Sequence, residues 1–333
     1  MNRYLYYPGC SMEASARAYD ESLHAIRGLL GLDLDTIHDW NCCGATESFG
    51  ISLTPAYALI GRNLALAARQ ANGTKTVVAS CSACYLNLAK ADHFMEERPL
   101  LNERVNDALA AGGLSYEPGT LEIRHLLDVI VHDIGLDAVR QRVVRPLTGL
   151  KVAPYLGCMV PRPDYGKHWS DHEHPDELNL LLRALGADVI DFPLATHCCG
   201  GHMPHIGPET AFDLIRRLVA GATRYGADLM VTVCPMCQIN VDAYQVEANR
   251  HFGTDERMPI VFFTQVMGLA FGFHPSQIGF GRELTSADAA LAKIPAAAWK
   301  TDDEAEEGKR PERRRPDDKS LPWPRMPKRK KLP

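Results

Sequence analysis

Residues 75–84 read KTVVASCSAC, and residues 229–237 read LMVTVCPMC. In each, a β-branched, aliphatic run ends in a CxxC pair, and helical patterning follows. A strand that delivers a cysteine at its carboxyl end, with a helix beginning beside the next, is half of a β/α unit in an alternating sheet. Outward from these two stretches, the chain reads as two copies of one plan.

In the first copy, RYLYYPGC is an apolar strand ending in Pro8-Gly9 before Cys10. A helix follows with Leu23, Ile26, Leu29 and Leu30 on one face and Gly31 as its stop. A strand over Leu34 to Trp40 then runs into Asn41-Cys42-Cys43-Gly44, and Ala56 to Gln70 is a helix. In the second copy, KVAPYLGC ends at Cys158, and Pro175-Asp176 opens the helix DELNLLLRALGA. The strand DVIDFPLA leads to His197-Cys198-Cys199-Gly200, and Glu209 to Tyr225 is the next helix. The correspondence extends past the cysteines, since LEIRHLLDVIVHDIG from Leu121 has its counterpart in PIVFFTQVMGLAFGF from Pro259.

The expected fold is therefore α/β: two homologous Rossmann-like βα domains related by internal duplication, with cysteines at strand carboxyl ends. The domains are expected at 1–147 and 148–280. A charged, proline-rich tail at 281–333 is expected to be disordered. The tail's Trp323, between two prolines, offers an apolar anchor for a protein partner. One insertion, MVPRPDYGKHWSDHEH (159–174), has no equivalent in the first half and is expected to loop over the second site.

All ten cysteines fall into the two copies: Cys10, Cys42, Cys43, Cys81 and Cys84, then Cys158, Cys198, Cys199, Cys234 and Cys237. With no export leader and no apolar run long enough for a bilayer, the chain is expected to be cytoplasmic and without a transmembrane segment. Thiols are kept reduced there, which favours metal ligation or redox chemistry over structural disulfides. A net charge of −5 gives no general affinity for nucleic acid.

Structural zinc takes four ligands, usually as two close pairs, whereas each set here has one CxxC and a fifth thiol left over. Adjacent cysteines suit a centre with several irons better than one zinc. The bacterial ferredoxin run C-x2-C-x2-C-x3-C-P is absent. Spacing alone supports two multi-thiolate sites, with zinc and redox dithiols as the rivals to iron and sulfur.

The pattern Cys10…Cys42-Cys43-Gly44…Cys81-x-x-Cys84, repeated as Cys158…Cys198-Cys199-Gly200…Cys234-x-x-Cys237, resembles the two CCG motifs in the B subunit of heterodisulfide reductase. The resemblance covers roughly residues 1 to 275. It implies that each set of five cysteines holds a noncubane [4Fe-4S] cluster. It also implies that a disulfide is reduced, or thiols oxidised, between the two clusters. The substrate it implies is a disulfide or thiol, in some relatives protein-bound. The implied partners in the same complex are a ferredoxin-like subunit together with a flavin-containing one. CCG proteins of glycolate and lactate oxidation supply the alternative, an electron-transfer subunit that relays electrons from a flavoprotein without binding a disulfide.

The histidines are a separate signal. His197, His202 and His205 flank the second CC pair, and His202 is the candidate proton donor to a departing thiolate. His168, His172 and His174 lie in the polar insertion and are expected to be solvated, and Arg162 and Lys167 beside them are candidates to attract an anionic substrate.

Overall fold

The computed structural model describes residues 2–45, 48–163, 165 and 169–295. It contains two four-stranded parallel sheets, one in each half. The first is built from β1 (Asn2–Tyr7), β2 (Leu32–Thr36), β3 (Thr76–Ala79) and β4 (Glu122–His125), in the order β2-β1-β3-β4. The second repeats it with β5 (Lys151–Tyr155), β6 (Asp188–Val189), β7 (Leu229–Thr232) and β8 (Ile260–Phe262), in the order β6-β5-β7-β8. Strands covered by helices on both faces carry near-continuous apolar runs. Accordingly, Val77, Val78 and Ala79 in β3 and all of β7 are buried.

This strand order reverses direction between β1 and β3, and between β5 and β7. Open parallel sheets bind ligands at such a switch point, outside the strand carboxyl ends. Cys10 follows β1 and Cys81 follows β3, while Cys158 follows β5 and Cys234 follows β7. Each set of cysteines therefore straddles its own switch point.

Two strands differ from the sequence reading. The segment expected over Leu34 to Trp40 is strand only to Thr36, because Asp39 takes a left-handed conformation, φ 57°, that turns the chain away from the sheet. DVIDFPLA pairs only through Asp188–Val189: the last rung runs from the Ile190 N–H to the Val152 carbonyl at 3.0 Å, and Pro154 of β5 has no N–H to make the next. Cys42 and Cys198 thus lie at the ends of loops rather than directly after strands. Side chains tie the first loop down. Asn63 bonds the backbone of Asn41 twice, at 2.9 and 3.0 Å, and Arg62 holds the Asp39 carbonyl at 2.6 Å.

The halves pack reciprocally. The helix Arg17–Arg27 of the first half lies on the helix Phe263–Ala270 that follows β8 in the second. The first helix of the second half, Glu177–Ala184, lies on the closing helices of the first, Leu126–Val129 and Leu136–Arg142. Such an exchange relates the two halves by an approximate two-fold. At the seam Tyr19 stacks on Phe262 with ring centroids 4.6 Å apart, and the buried hydroxyls of Ser22 and Thr264 bond at 2.6 Å.

The segment expected to be a disordered tail begins as packed chain. Ala287, Ala290 and Ile294 are buried, Arg282 pairs with Glu21 at 2.6 Å, and the Asp242 carboxylate accepts the Leu284 and Thr285 N–H groups at 2.8 and 2.9 Å. Residues 296–333, including Trp323, lie outside the described residues.

Candidate metal centres

Each centre is assembled from three stretches of chain. In the first half, Cys10 opens a short helix, Cys10–Glu13, after β1; Cys42 and Cys43 close the loop after β2; Cys81 is the N-cap of the helix Ser82–Glu97, and Cys84 lies in its first turn. The sulfurs of Cys10 and Cys42 stand 3.5 Å apart, and those of Cys43 and Cys84 3.4 Å apart. The second half repeats this, with Cys234 as N-cap and Cys237 in the first turn of the helix Pro235–Ala243. Among the described residues no three His, Cys, Asp or Glu side chains are grouped to hold a single metal ion. The thiols stand as close pairs instead.

A glycine makes room for a sulfur in both halves. A Cβ added to Gly9 would lie 2.9 Å from the Cys84 sulfur, and one added to Gly157 would lie 2.9 Å from the Cys237 sulfur. Both residues have positive φ, 75° and 69°. The donor set and this flat backing fit a bulky sulfur-ligated group.

Three supports around the cysteines recur in both halves. Tyr7 donates its hydroxyl to the Asn41 carbonyl at 2.7 Å, and Tyr155 donates to the His197 carbonyl at 2.9 Å, tying the CC loop to the first strand. The Gly44 N–H points at the Cys42 sulfur at 3.5 Å, and the Gly200 N–H at the Cys198 sulfur at 3.3 Å. Asn87 donates to the Ala45 carbonyl at 2.6 Å and Asn240 to the Cys199 carbonyl at 2.7 Å, pinning the CC turn to the CxxC helix. These tyrosines and asparagines escaped the sequence reading. Their signal is nevertheless present as Y-x-G-C and C-x-x-C-x-x-N in both copies.

Proton sharing separates the thiols into donors and thiolates. Hydrogen bonds from Cys42 and Cys84 lower Cys43 to about 3, and those from Cys158 and Cys199 lower Cys198 to about 2. Cys237 and Cys81 hold Cys234 well below the usual thiol range. The donors move the other way: Cys42 is raised by its bond to Cys43, Cys84 likewise by Cys43, and Cys199 is pushed up to about 12 by Cys198. Cys84 sits at a helix N-terminus, which favours a thiolate, yet it is raised because its bond to Cys43 leaves the charge on Cys43.

The two sets adjoin. Cys81 and Cys234 face each other across the seam, close enough for their thiols to interact. Both CxxC pairs are buried, whereas Cys10, Cys42 and Cys198 are exposed. Beside Cys10 and Cys42 an open cleft of about 700 Å³ is lined by Glu13 and the loop Thr36 to Asn41.

The described part of the insertion bridges the halves. Arg162 donates to the Thr196 carbonyl at 2.9 Å and pairs with Glu173 at 3.0 Å. Tyr165 packs on His93 and Phe94 of the first-half helix, and Trp169 donates to the Tyr85 hydroxyl at 3.4 Å. Arg162 is thus engaged within the fold. Lys167 and His168 lie outside the described residues. His202 is half-buried at the start of the turn Met203–His205, while His197, His205 and His174 are exposed.

A duplicated α/β scaffold that carries five thiols at each of two sheet switch points defines a two-site, cysteine-rich protein. The chain belongs to the family of the CCG cysteine-rich domain, whose model matches residues 4–89 and 152–242. Among curated proteins it is 30% identical to the 8-methylmenaquinol:fumarate reductase membrane anchor subunit of Wolinella succinogenes, over 85% of this chain and 97% of that one. It is 28% identical to the B subunit of the ferredoxin:CoB-CoM heterodisulfide reductase of Methanosarcina mazei, over 88% of this chain and 97% of that one. With a protein of Archaeoglobus profundus that is itself like the B subunit of heterodisulfide reductase it shares 29% identity, over 88% of this chain and 98% of that one. A crystal structure of a hypothetical protein from Helicobacter pylori superposes with a TM-score of 0.67 at 14% identity, over 85% of this chain. This chain spans 52% of that one, and the likeness shows the fold. Among the described residues no helix is long and apolar enough to cross a membrane.

Proposed function

We propose that this chain is the iron-sulfur subunit of a heterodisulfide reductase-like complex, reducing a disulfide or oxidising thiols. In this reading Cys10, Cys42, Cys43, Cys81 and Cys84 hold one noncubane [4Fe-4S] cluster, and Cys158, Cys198, Cys199, Cys234 and Cys237 hold the other. The observation that carries it is the duplicated site itself: five thiols at each switch point, four of them in two close pairs in the first half, with a glycine flattened against one sulfur in each half. Bound there, such clusters supply one-electron transfer and a place to hold sulfur.

The protein's own residues divide the work. The buried CxxC pairs meet at the seam and keep water from the side where the two centres face each other. The exposed Cys10, Cys42 and their cleft leave the first centre open to a substrate. His202, close behind the second CC pair, is assigned as proton donor to a departing thiolate. Relatives named as B subunits of heterodisulfide reductases support work within a multi-subunit complex, in which the partners the resemblance implies are one ferredoxin-like and one flavin-containing subunit.

A second reading, a relay that passes electrons from a flavoprotein or toward a quinone without binding a disulfide, is favoured by the relative named for menaquinol:fumarate reduction. EPR spectra of the reduced protein separate the two. A disulfide or thiol added to a reactive centre is expected to change its signal, and His202→Gln is expected to shift the pH dependence of disulfide turnover. Spectra indifferent to every disulfide and thiol, beside normal electron transfer, would establish the relay.

A further inference from the structure

The helix Pro208–Arg224 lies against the loop that runs into Cys198. Contact is closest at Gly221, where an added Cβ would stand 2.8 Å from Leu194 Cδ1, so the missing side chain lets the loop settle onto the helix. Just past the helix, Tyr225 sets its ring edge-on to Phe192 of the loop, with centroids 6.4 Å apart. Between loop and helix a cavity of about 390 Å³ remains, with Pro193, Leu194 and His197 on one side and Arg216, Arg217 and Arg224 on the other.

The cavity is positively charged. Positions 217, 220, 221 and 224 share one helical face, so Arg217 and Arg224 stand two turns apart, about 10 Å along the axis, with the small Ala220 and Gly221 between them. The space between the two guanidinium groups is thereby left open. Asp213 gives one oxygen to Arg216 at 2.7 Å and the other to Arg217 at 2.6 Å, while Arg224 forms no ion pair among the described residues. Three arginines against one carboxylate leave an excess of two positive charges. Arg216 is held over the Phe252 ring, 4.7 Å from its centroid, whereas Arg217 and Arg224 are exposed at the mouth. The cleft beside the first CC loop is lined by Glu13 and Asp39 and has no such excess.

We propose that this cavity binds a small organic phosphate ester, its phosphate between Arg217 and Arg224 and its organic part against Pro193, Leu194 and Tyr225. A phosphate monoester carries close to two negative charges at neutral pH, which matches the excess. Guanidinium groups hold phosphate oxygens through paired N–H donors, and arginine suits this better than lysine. The volume is that of an ordinary small-molecule site, and the apolar wall favours an ester over the bare anion. A ligand here rests on the residues that lead into Cys198 and Cys199, so it steadies the second CC loop and leaves the first untouched. The site stands whatever group the thiols hold.

The test is calorimetric titration of the intact protein with phenyl phosphate, inorganic phosphate and phenol at about 0.15 M KCl, where long-range attraction between exposed charges is screened. Hydrogen exchange with and without phenyl phosphate locates the binding. Phenyl phosphate is expected to bind saturably, inorganic phosphate more weakly and phenol not at all, with slowed exchange confined to 192–199 and 214–226. Arg217→Gln and Arg224→Gln, both at exposed positions, are each expected to weaken phenyl phosphate about tenfold or more, and Arg224→Lys, which keeps the charge, by less. No saturable binding of phenyl phosphate, the same affinity in both glutamine variants as in the wild type, or slowed exchange only elsewhere in the chain overturns the proposal. Inorganic phosphate binding as tightly as phenyl phosphate overturns the choice of an ester.

Discussion

Gly157→Ala is expected to abolish loading of the second centre while leaving the first intact, so that iron per chain falls to about half. Two costs fall on one methyl group. The φ of 69° is unfavourable for any residue with a Cβ, and the new carbon would stand 2.9 Å from the Cys237 sulfur, inside van der Waals contact. Strain of the backbone kind costs about 1–3 kcal/mol where the surroundings enforce it. Relief requires Cys237 to move, and Cys237 is buried in the first turn of a packed helix. Gly9→Ala should do the same to the first centre through Cys84, since Gly9 has φ 75° and ψ 157°, a region nearly restricted to glycine. Iron content and the EPR signals of the two variants check this. Full iron in both would show that the glycine backing is irrelevant to the centres.

Arg124→Met should cost about 3–5 kcal/mol of folding stability, the range for leaving one member of a buried ion pair uncompensated. Arg124 grips Asp128 with two parallel bonds, Nε to Oδ2 at 2.7 Å and Nη2 to Oδ1 at 2.9 Å, and reaches Asp133 at 2.7 Å. The side chains of Arg124 and Asp128 are 7% and 3% exposed, so water cannot take over the aspartate's charge. A π-helical turn, Ile130–Gly135, brings Asp133 back toward the arginine, where Tyr4 also bonds it at 2.8 Å. Pairing Arg124→Met with Asp128→Leu removes the orphaned charge and should recover most of the loss. Urea denaturation of the three variants gives the answer; a loss in Arg124→Met as small as that of a surface ion pair would contradict the buried-pair account.

The part of the fold that was legible came from local signals that tertiary contacts do not override. KTVVAS and LMVTV carry β-branched and aliphatic runs, buried from Val77 and from Leu229 onward, and became β3 and β7. The two edge strands were overestimated because apolar residues such as Trp40 and Phe192 pack as loop anchors, and alternation alone does not reveal a left-handed Asp39 or that the neighbouring strand residue is Pro154. The cysteine positions were visible from their repetition. Their partition into thiolates and donors was not, since it depends on which sulfurs meet in space: Cys43 with Cys84, and Cys81 with Cys234 from the other half. Composition placed the whole stretch 281–333 in a tail, but the apolar Ala287, Ala290 and Ile294 are enough to dock its beginning.

The central claim is that both sets of thiols hold iron and sulfide. Protein purified without oxygen should contain about eight irons and as many acid-labile sulfides per chain, four for each centre, with visible absorption that bleaches on reduction. Protein carrying zinc, no iron and no visible absorption would contradict it.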